Sequence, residues 1–482
     1  MPLAYAPFGW WPVAMVSIAI LFAVWLTADQ ATSIRSAFVF ALAMFATGVS
    51  WVFVSLNIYG EMPLALAVLC VSLFVTALAL YLPVAAWLQA KVNWTPAARL
   101  LIAMPVCLTL VEFVRSRLFT GFSWLEPGYS QTDTWLAGWA SVLGIHGVTL
   151  FTAVCAGALV LIATGHVKSR LFALMVIVVA VVPARLNQSI DWSEPIGEPV
   201  VAGMVQLNIP LSTKWSLTES RQVAEQYFSY SQAVASRVDF LMWPESALPL
   251  FVDQLGSGFR ERINDLGKPL LSGFLERRPV ARGFEYYNAA VLFKQDVGKQ
   301  DVELYRKQHL VPFGEYTPLL WLFAPIAAFF NVPMSDMYAW QGDQALLEIA
   351  GHKVGIGVCY EDSFAYDVRK TLPDARYFIN ISEDAWFGDS LAPHQRLQMA
   401  RLRSRENARP MLRVSNTGLS AAIDHHGKIQ AVTPQFTEQV LVTAVQPRQG
   451  LTPYSRFGEF GVWSVMILMS MAGWLIARRN SD

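Results

Sequence analysis

"GIGVCYEDSF", residues 355–364, ends an apolar run in a cysteine and follows it at once with Tyr360, Glu361 and Asp362. A carboxylate beside a thiol raises the thiol's pKa by repulsion. A nucleophile placed here therefore needs a base and a cation from elsewhere in the chain to correct the field. The apolar lead-in reads as a strand, and in α/β domains loops carry the side chains at strand ends into a common cleft. The reading turns on whether other strand ends supply that base and that cation.

Two of them do. Glu245, in "LMWPESALP", ends an apolar strand at a rigid Trp-Pro turn, where the neighbouring bulk desolvates a carboxylate into a competent base. Lys307, in "YRKQHLVPFGEYTP", leaves a strand just before a Pro-Phe-Gly-Glu turn. Taken singly, each of these two reads more readily as a solvated polar residue at an unrelated turn, and Cys359 reads equally well as an inert buried cysteine. Together they put Glu, Lys and Cys each at the end of a strand. Around them the pattern between residues 198 and 449 alternates. "PVVAGMVQLN", "DFLMW", "PLLSGFL", "YYNAAVLF", "DVELYRK", "KVGIGVC", "ARYFINIS", "MLRVSNT" and "LSAAIDHHGKIQAV" read as strands. Helical periodicity falls at residues 216–237, 252–266, 363–371 and 393–408. An α/β sandwich follows.

The rest of the chain is of another kind. With 482 residues, 54% hydrophobic and 15% charged, and a mean hydropathy of +0.38, it is too apolar for an ordinary soluble protein. Equal counts of basic and acidic residues, 36 each, remove the case for a nucleic-acid partner. Apolar segments at residues 11–28, 37–56, 63–83, 100–114, 136–164, 171–182 and 460–477 read as membrane spans. The expected organisation is a polytopic α-helical membrane domain over 1–190, the α/β domain over 198–449, and a last transmembrane helix over 459–478.

Orientation follows from Lys and Arg. Arg35, Lys91 with Arg99, Lys168 with Arg170, and Arg478 with Arg479 fall on one face if every span crosses, and the positive-inside rule makes that face cytoplasmic. The α/β domain and the uncharged N-terminus then lie outside. Arg115 and Arg117 are the exceptions, and snorkelling at a helix end is the expected reading for them, ahead of a contact with a substrate headgroup. The first span lacks the positive flank of a cleavable signal peptide.

Cys70, Cys107 and Cys155 lie in apolar spans and read as small core residues. Cys359, the one thiol of the polar domain, has no disulfide partner there, which favours a reactive group. The chain has no CxxC, HExxH, GxSxG or Walker A motif, so no metal and no cofactor is expected.

The contexts of Glu245, Lys307 and Cys359 resemble the catalytic triad of the nitrilase, or carbon-nitrogen hydrolase, superfamily. "WPESALP", "KQHLVPFGEYTPL", "GVCYEDSF", the block from "NISEDAWFGDS" to "MLRVSNTG" and the membrane-side "LFTGFSWLEPGYS" are similar to its membrane-bound branch, the apolipoprotein N-acyltransferases, over essentially the whole chain. The segment "APFGWWP" resembles the stretch immediately after that family's usual first helix, which would give the family one span more than is counted here. The resemblance implies a nitrilase-like α-β-β-α sandwich. It implies transfer of a fatty acyl chain from a membrane phospholipid to the N-terminal amine of a diacylated apolipoprotein, in a bacterial inner membrane with the catalytic domain on the periplasmic side. It also implies Glu245 as base, Cys359 as nucleophile and Lys307 as oxyanion partner, with Glu315 and Glu361 holding Lys307 and Tyr360 shaping the acyl entry. Trp215, in "NIPLSTKW", corresponds to a tryptophan used near the substrate, or packs. The run at residues 319–333, with Phe329 and Phe330, is too apolar for an exposed loop and too short to span, and reads as an arm on the bilayer that binds substrate. Two alternatives are a membrane-tethered amidase or nitrilase, and a polytopic scaffold with an inactive domain.

Overall fold

The computed structural model describes residues 1–216, 218–281, 283–295, 302–318, 321 and 336–479. The chain forms two compact units, one of Met1–Val52, Ala65–Trp192 and Leu451–Asp482, the other of Phe53–Leu64 and Ser193–Gly450.

In the first unit six helices among the described residues are long and apolar enough to cross a membrane: Gln30–Gly48, Leu64–Ala90, Pro96–Arg115, Trp135–Thr164, Val167–Asn187 and Phe460–Arg479. A seventh apolar helix, Trp11–Thr27, is shorter. The chain is a multi-pass membrane protein. The second helix starts earlier than its apolar run because Asp29 caps it, its carboxylate accepting from the Thr32 N–H at 2.9 Å. Trp135–Thr164 is apolar on all sides and is the most buried of the set, as a central helix must be. Gly157 lets it close on its neighbour: a Cβ there would stand 2.0 Å from the Leu100 carbonyl oxygen.

Arg115 does not snorkel. It is 1% exposed, its guanidinium donates to the Trp124 carbonyl at 2.9 Å and to that of Phe122, and it pairs with Glu112. The loop after its helix turns back over the arginine, so the charge is spent on loop carbonyls rather than on a headgroup. Arg117 is more exposed and pairs with Glu459 at 3.3 Å.

The second unit is built on two mixed sheets. The strands of these two sheets are β1 (Val200–Gln206), β2 (Phe240–Met242), β3 (Leu270–Val280), β4 (Gly283–Phe293), β5 (Glu303–Arg306), β6 (Leu347–Ile349), β7 (His352–Val358), β8 (Tyr377–Ser382), β9 (Met411–Ser415), β10 (Ala421–Ile423), β11 (Ile429–Val432) and β12 (Gln439–Val445). Among the described residues one six-stranded sheet runs β12-β1-β2-β3-β4-β5 and the other β11-β10-β9-β8-β7-β6. Each has a parallel centre, β1-β2-β3 and β7-β8-β9, flanked by antiparallel strands. The sheets face each other through β1 against β9 and β4 against β7.

Helices cover the outer faces. Ser220–Val234 and Ser257–Asp265 bury Tyr227, Phe228 and Ile263 against Trp243, Leu270 and Phe274 of the first sheet. Ala392–Asn407 lays Leu397 and Ala400 on Phe378 and Met411 of the second. The result is an α-β-β-α nitrilase-like sandwich. β5 and β7 end immediately before Lys307 and Cys359, and β2 ends at Met242, three residues before Glu245, which delivers the three side chains from three separate strands.

Candidate active site

Glu245 follows β2 after Trp243 and Pro244, and it is 6% exposed. Its Oε1 accepts from Asn288 Nδ2 at 2.7 Å and from Lys307 Nζ at 3.4 Å, and its Oε2 accepts from the backbone N–H of Glu383 at 2.9 Å. β3 closes on it from behind. A Cβ on Gly273 would lie 2.5 Å from the Glu245 Cα and from the Ser246 N, so only glycine lets the two backbones meet. Lys214, 2% exposed, donates to the Glu245 carbonyl at 2.8 Å and pairs with Glu383. The carboxylate is thus held at both oxygens and at its own backbone.

Lys307 is 1% exposed and donates to Glu315 at 2.9 Å as well as reaching Glu245. Burial works against its charge, but Glu315 and Glu245 outweigh it and hold the lysine well above its ordinary pKa. Glu315 is fixed in turn: its Oε2 accepts from the Val311 N–H at 2.8 Å across the Pro-Phe-Gly-Glu turn, and its Oε1 accepts from Asn288 at 2.9 Å. One amide, that of Asn288, therefore bridges both carboxylates that hold the lysine.

Cys359 begins a tight turn, Cys359–Ser363, with φ at +54°, a left-handed conformation that a non-glycine residue holds only at a cost. Its carbonyl accepts from Asn380 Nδ2 at 2.7 Å, which pins the turn to β8. Burial pushes the thiol up to about 12, with Glu245 acting in the same direction and Lys307 and Arg396 opposing it.

The acids after the cysteine do not act as their proximity in sequence suggested. Glu361 turns away: its Oε1 accepts from the backbone N–H groups of Gln308 and His309 at 2.8 and 3.0 Å, and its Oε2 from the Val358 N–H at 2.7 Å and the Tyr305 hydroxyl at 3.1 Å. It has no hydrogen bond to the Lys307 ammonium among the described residues. It fixes the main chain that follows the lysine, while burial raises its carboxyl to about 7. Asp362 faces Arg396 at 3.4 Å. Tyr360 donates to the Leu310 carbonyl at 2.8 Å, and its ring centre is 6.0 Å from Lys307 Nζ.

Trp215 packs with Phe251 and Tyr316 on the small cluster of Leu275, Leu310 and Met337. Its indole N–H is buried without a hydrogen-bond partner among the described residues. Phe329 and Phe330 lie outside the described residues. Sequence reasoning missed Lys214, Asn288, Glu383 and Arg396; the signal for Glu383 and Arg396 was the block "NISEDAWFGDSLAPHQRLQ", read there only for its resemblance.

Residues 1–158 match the apolipoprotein N-acyltransferase N-terminal domain, and residues 201–454 match the carbon-nitrogen hydrolase family. A Methylococcus capsulatus protein named apolipoprotein N-acyltransferase is 37% identical, across 100% of this chain and 95% of its own length. Proteins of the same name from Nitrosomonas europaea and Chromobacterium violaceum are each 36% identical, the first across 98% of this chain and 94% of its own length, the second across 91% and 85%. Matched on both its membrane and its hydrolase-like parts, the chain belongs to the apolipoprotein N-acyltransferase family.

Proposed function

We propose that this chain transfers a fatty acyl group from a membrane phospholipid to the α-amine of the N-terminal diacylglyceryl-cysteine of an apolipoprotein, through an acyl group held on Cys359. Glu245 takes the thiol proton, and the thiolate adds to the ester carbonyl of the phospholipid. Lys307, with the backbone N–H that follows Cys359, stabilises the tetrahedral oxyanion, which collapses to a thioester. Lysophospholipid leaves with the proton that Glu245 held. The lipoprotein amine then attacks the thioester, giving its proton to Glu245 and restoring the thiol. No cofactor or metal enters this scheme.

The observation that carries the reading is the buried Lys307 held between Glu245 and Glu315 while its charge acts on the Cys359 thiol. That arrangement suits attack on a carbonyl. The multi-pass helices suit a substrate that never leaves the bilayer. Trp215, with an unsatisfied N–H among apolar neighbours, suits contact with a lipid substrate, as do Phe329 and Phe330 in the apolar run at 319–333. The charge pattern of the spans supports a bacterial inner membrane with the catalytic unit on the periplasmic side.

Intact mass spectrometry tests the reading. Incubated with phospholipid alone, the wild type gains one acyl mass and lysophospholipid appears. Cys359→Ala gains none, and Cys359→Ser gains little, because a base matched to a thiol ionises a hydroxyl poorly. Hydroxylamine-sensitive acyl mass on Cys359→Ala would assign the nucleophile elsewhere.

A further inference from the structure

Lys307 is an incomplete counterion for a thiolate. It is already shared by two carboxylates, Glu245 and Glu315, so the set it belongs to is net negative before the sulfur ionises. A second cation reaches the same sulfur from the helix that covers the second sheet. Arg396, on the helix Ala392–Asn407, is 0% exposed and places Nη1 3.9 Å from Cys359 Sγ. The same Nη1 donates to Ser382 at 2.6 Å and to Asp384 at 2.5 Å, and Nη2 to Asp362 at 3.4 Å.

Arg413, from β9, completes a buried foursome with Asp384 at 2.8 Å and Asp362 at 3.7 Å. Burial would raise Asp384, but Arg413 and Arg396 hold it down at about 2, so its charge is permanent near neutral pH. The foursome is neutral as a set, and its member that reaches Sγ is a guanidinium. Arginine suits the place: its fork satisfies several acceptors at once, and it stays protonated throughout a thiol titration.

We propose that Arg396 is a further catalytic residue, a cation in contact with Cys359 Sγ that stabilises the thiolate and leaves Lys307 for the carbonyl oxygen. In the step concerned the S–H bond breaks, its proton passes to a Glu245 carboxylate oxygen, and the electron pair stays on sulfur beside Nη1. The proposal rests on the reading of Cys359 as nucleophile. The groups that set the thiol's titration are Glu245 and Glu315 against Lys307 and Arg396, with Asp362 and Asp384 behind the arginine.

The test reads the thiol and not acyl transfer. The full-length protein in detergent micelles is treated with iodoacetamide across a pH series, and alkylation of the Cys359 peptide is followed by mass spectrometry. Removing a cation within about 4–6 Å shifts a thiol by about a unit or more, so Arg396→Gln is expected to alkylate at least ~10-fold more slowly at mildly alkaline pH, with its midpoint displaced upward. Arg413→Gln breaks the same foursome without touching sulfur. It is expected to lower the melting temperature by a similar amount and leave the midpoint with the wild type. A midpoint unmoved in Arg396→Gln, or moved equally in both variants, overturns the proposal. If Arg396→Gln does not fold, Arg396→Lys decides: too short to keep both Asp384 and Sγ, it is expected to raise the midpoint, and an unmoved midpoint overturns the proposal. Failure of the nucleophile assignment is distinct, since it is read as acyl mass on Cys359→Ala whatever the titrations give.

Discussion

At the scale of single residues, the arrangement around Lys307 makes the base and the oxyanion partner parts of one unit. Glu245→Gln removes the proton acceptor, and Lys307→Met removes the charge held by Glu245 and Glu315. Each is expected to slow acylation by phospholipid by about a hundredfold or more. The double variant is expected to lose less than the product of the two, because neither residue retains its full effect once the other is gone. Rate constants from single-turnover mass spectrometry check both statements, and strict multiplicativity would mean independent roles. The triad itself was legible because each member ends an apolar run and carries reactive chemistry. Asn288 was not. It sits 43 residues from Glu245 and 27 from Glu315, and an asparagine inside a strand carries no local mark of what lies across the cleft. Lys214 was illegible for the same reason, since a buried cation reads as a surface one until its partners are placed; Arg396 lay in a block that stood out only by its resemblance, with nothing to single out the arginine.

At the scale of elements, the turn after β7 and the loop after β5 are joined through one carboxylate. Glu361 accepts from four donors, on Gln308, His309, Val358 and Tyr305. Glu361→Gln puts an amide NH₂ where an acceptor is needed, and is expected to cost about 1–3 kcal/mol of stability and to slow acylation by loosening Lys307. The pH dependence carries a sign. The folded pKa, about 7, is raised above the ordinary glutamate value of 4.5. Glu361 therefore contributes stability that is fully present below the unfolded value and lost as pH rises through about 7. Thermal melts are expected to show the wild type losing its margin over Glu361→Gln between about pH 5 and 8; a margin constant with pH would show that Glu361 does not titrate there. Most strands were legible from short apolar runs between turn signals. β12 was not: most of Gln439–Val445 is half-buried, so no alternation marks it, and only its pairing with β1 along the full register makes it a strand. Most helix ends were legible to within a few residues, but the span read at residues 37–56 is the helix Gln30–Gly48 and the one read at 63–83 runs on to Ala90; the loop that folds back on Arg115 was not legible, because its carbonyls become visible as partners only when the chain turns.

At the scale of the whole molecule, the distribution of Lys and Arg about the spans makes an expectation that geometry alone does not. A reporter active only in the cytoplasm should work when fused after Arg479 and stay silent when inserted near Gln300. The reverse pattern, read by reporter activity in intact cells, would place the catalytic unit on the cytoplasmic face.

The catalytic unit is also not one continuous stretch of chain. Phe53–Leu64, drawn from between two apolar helices, belongs to it. Ser55 donates to the Trp386 carbonyl at 2.9 Å, and Tyr59 lies against Gly388, where a Cβ would come within 3.1 Å of its hydroxyl. A gene fragment that begins at Ser193 and ends at Gly450 would therefore encode a unit with one of its own pieces left behind in the DNA upstream. Lifted out as residues 193–450 alone, the catalytic unit would travel without the hydrogen bond from Ser55 and the packing of Tyr59 against Gly388.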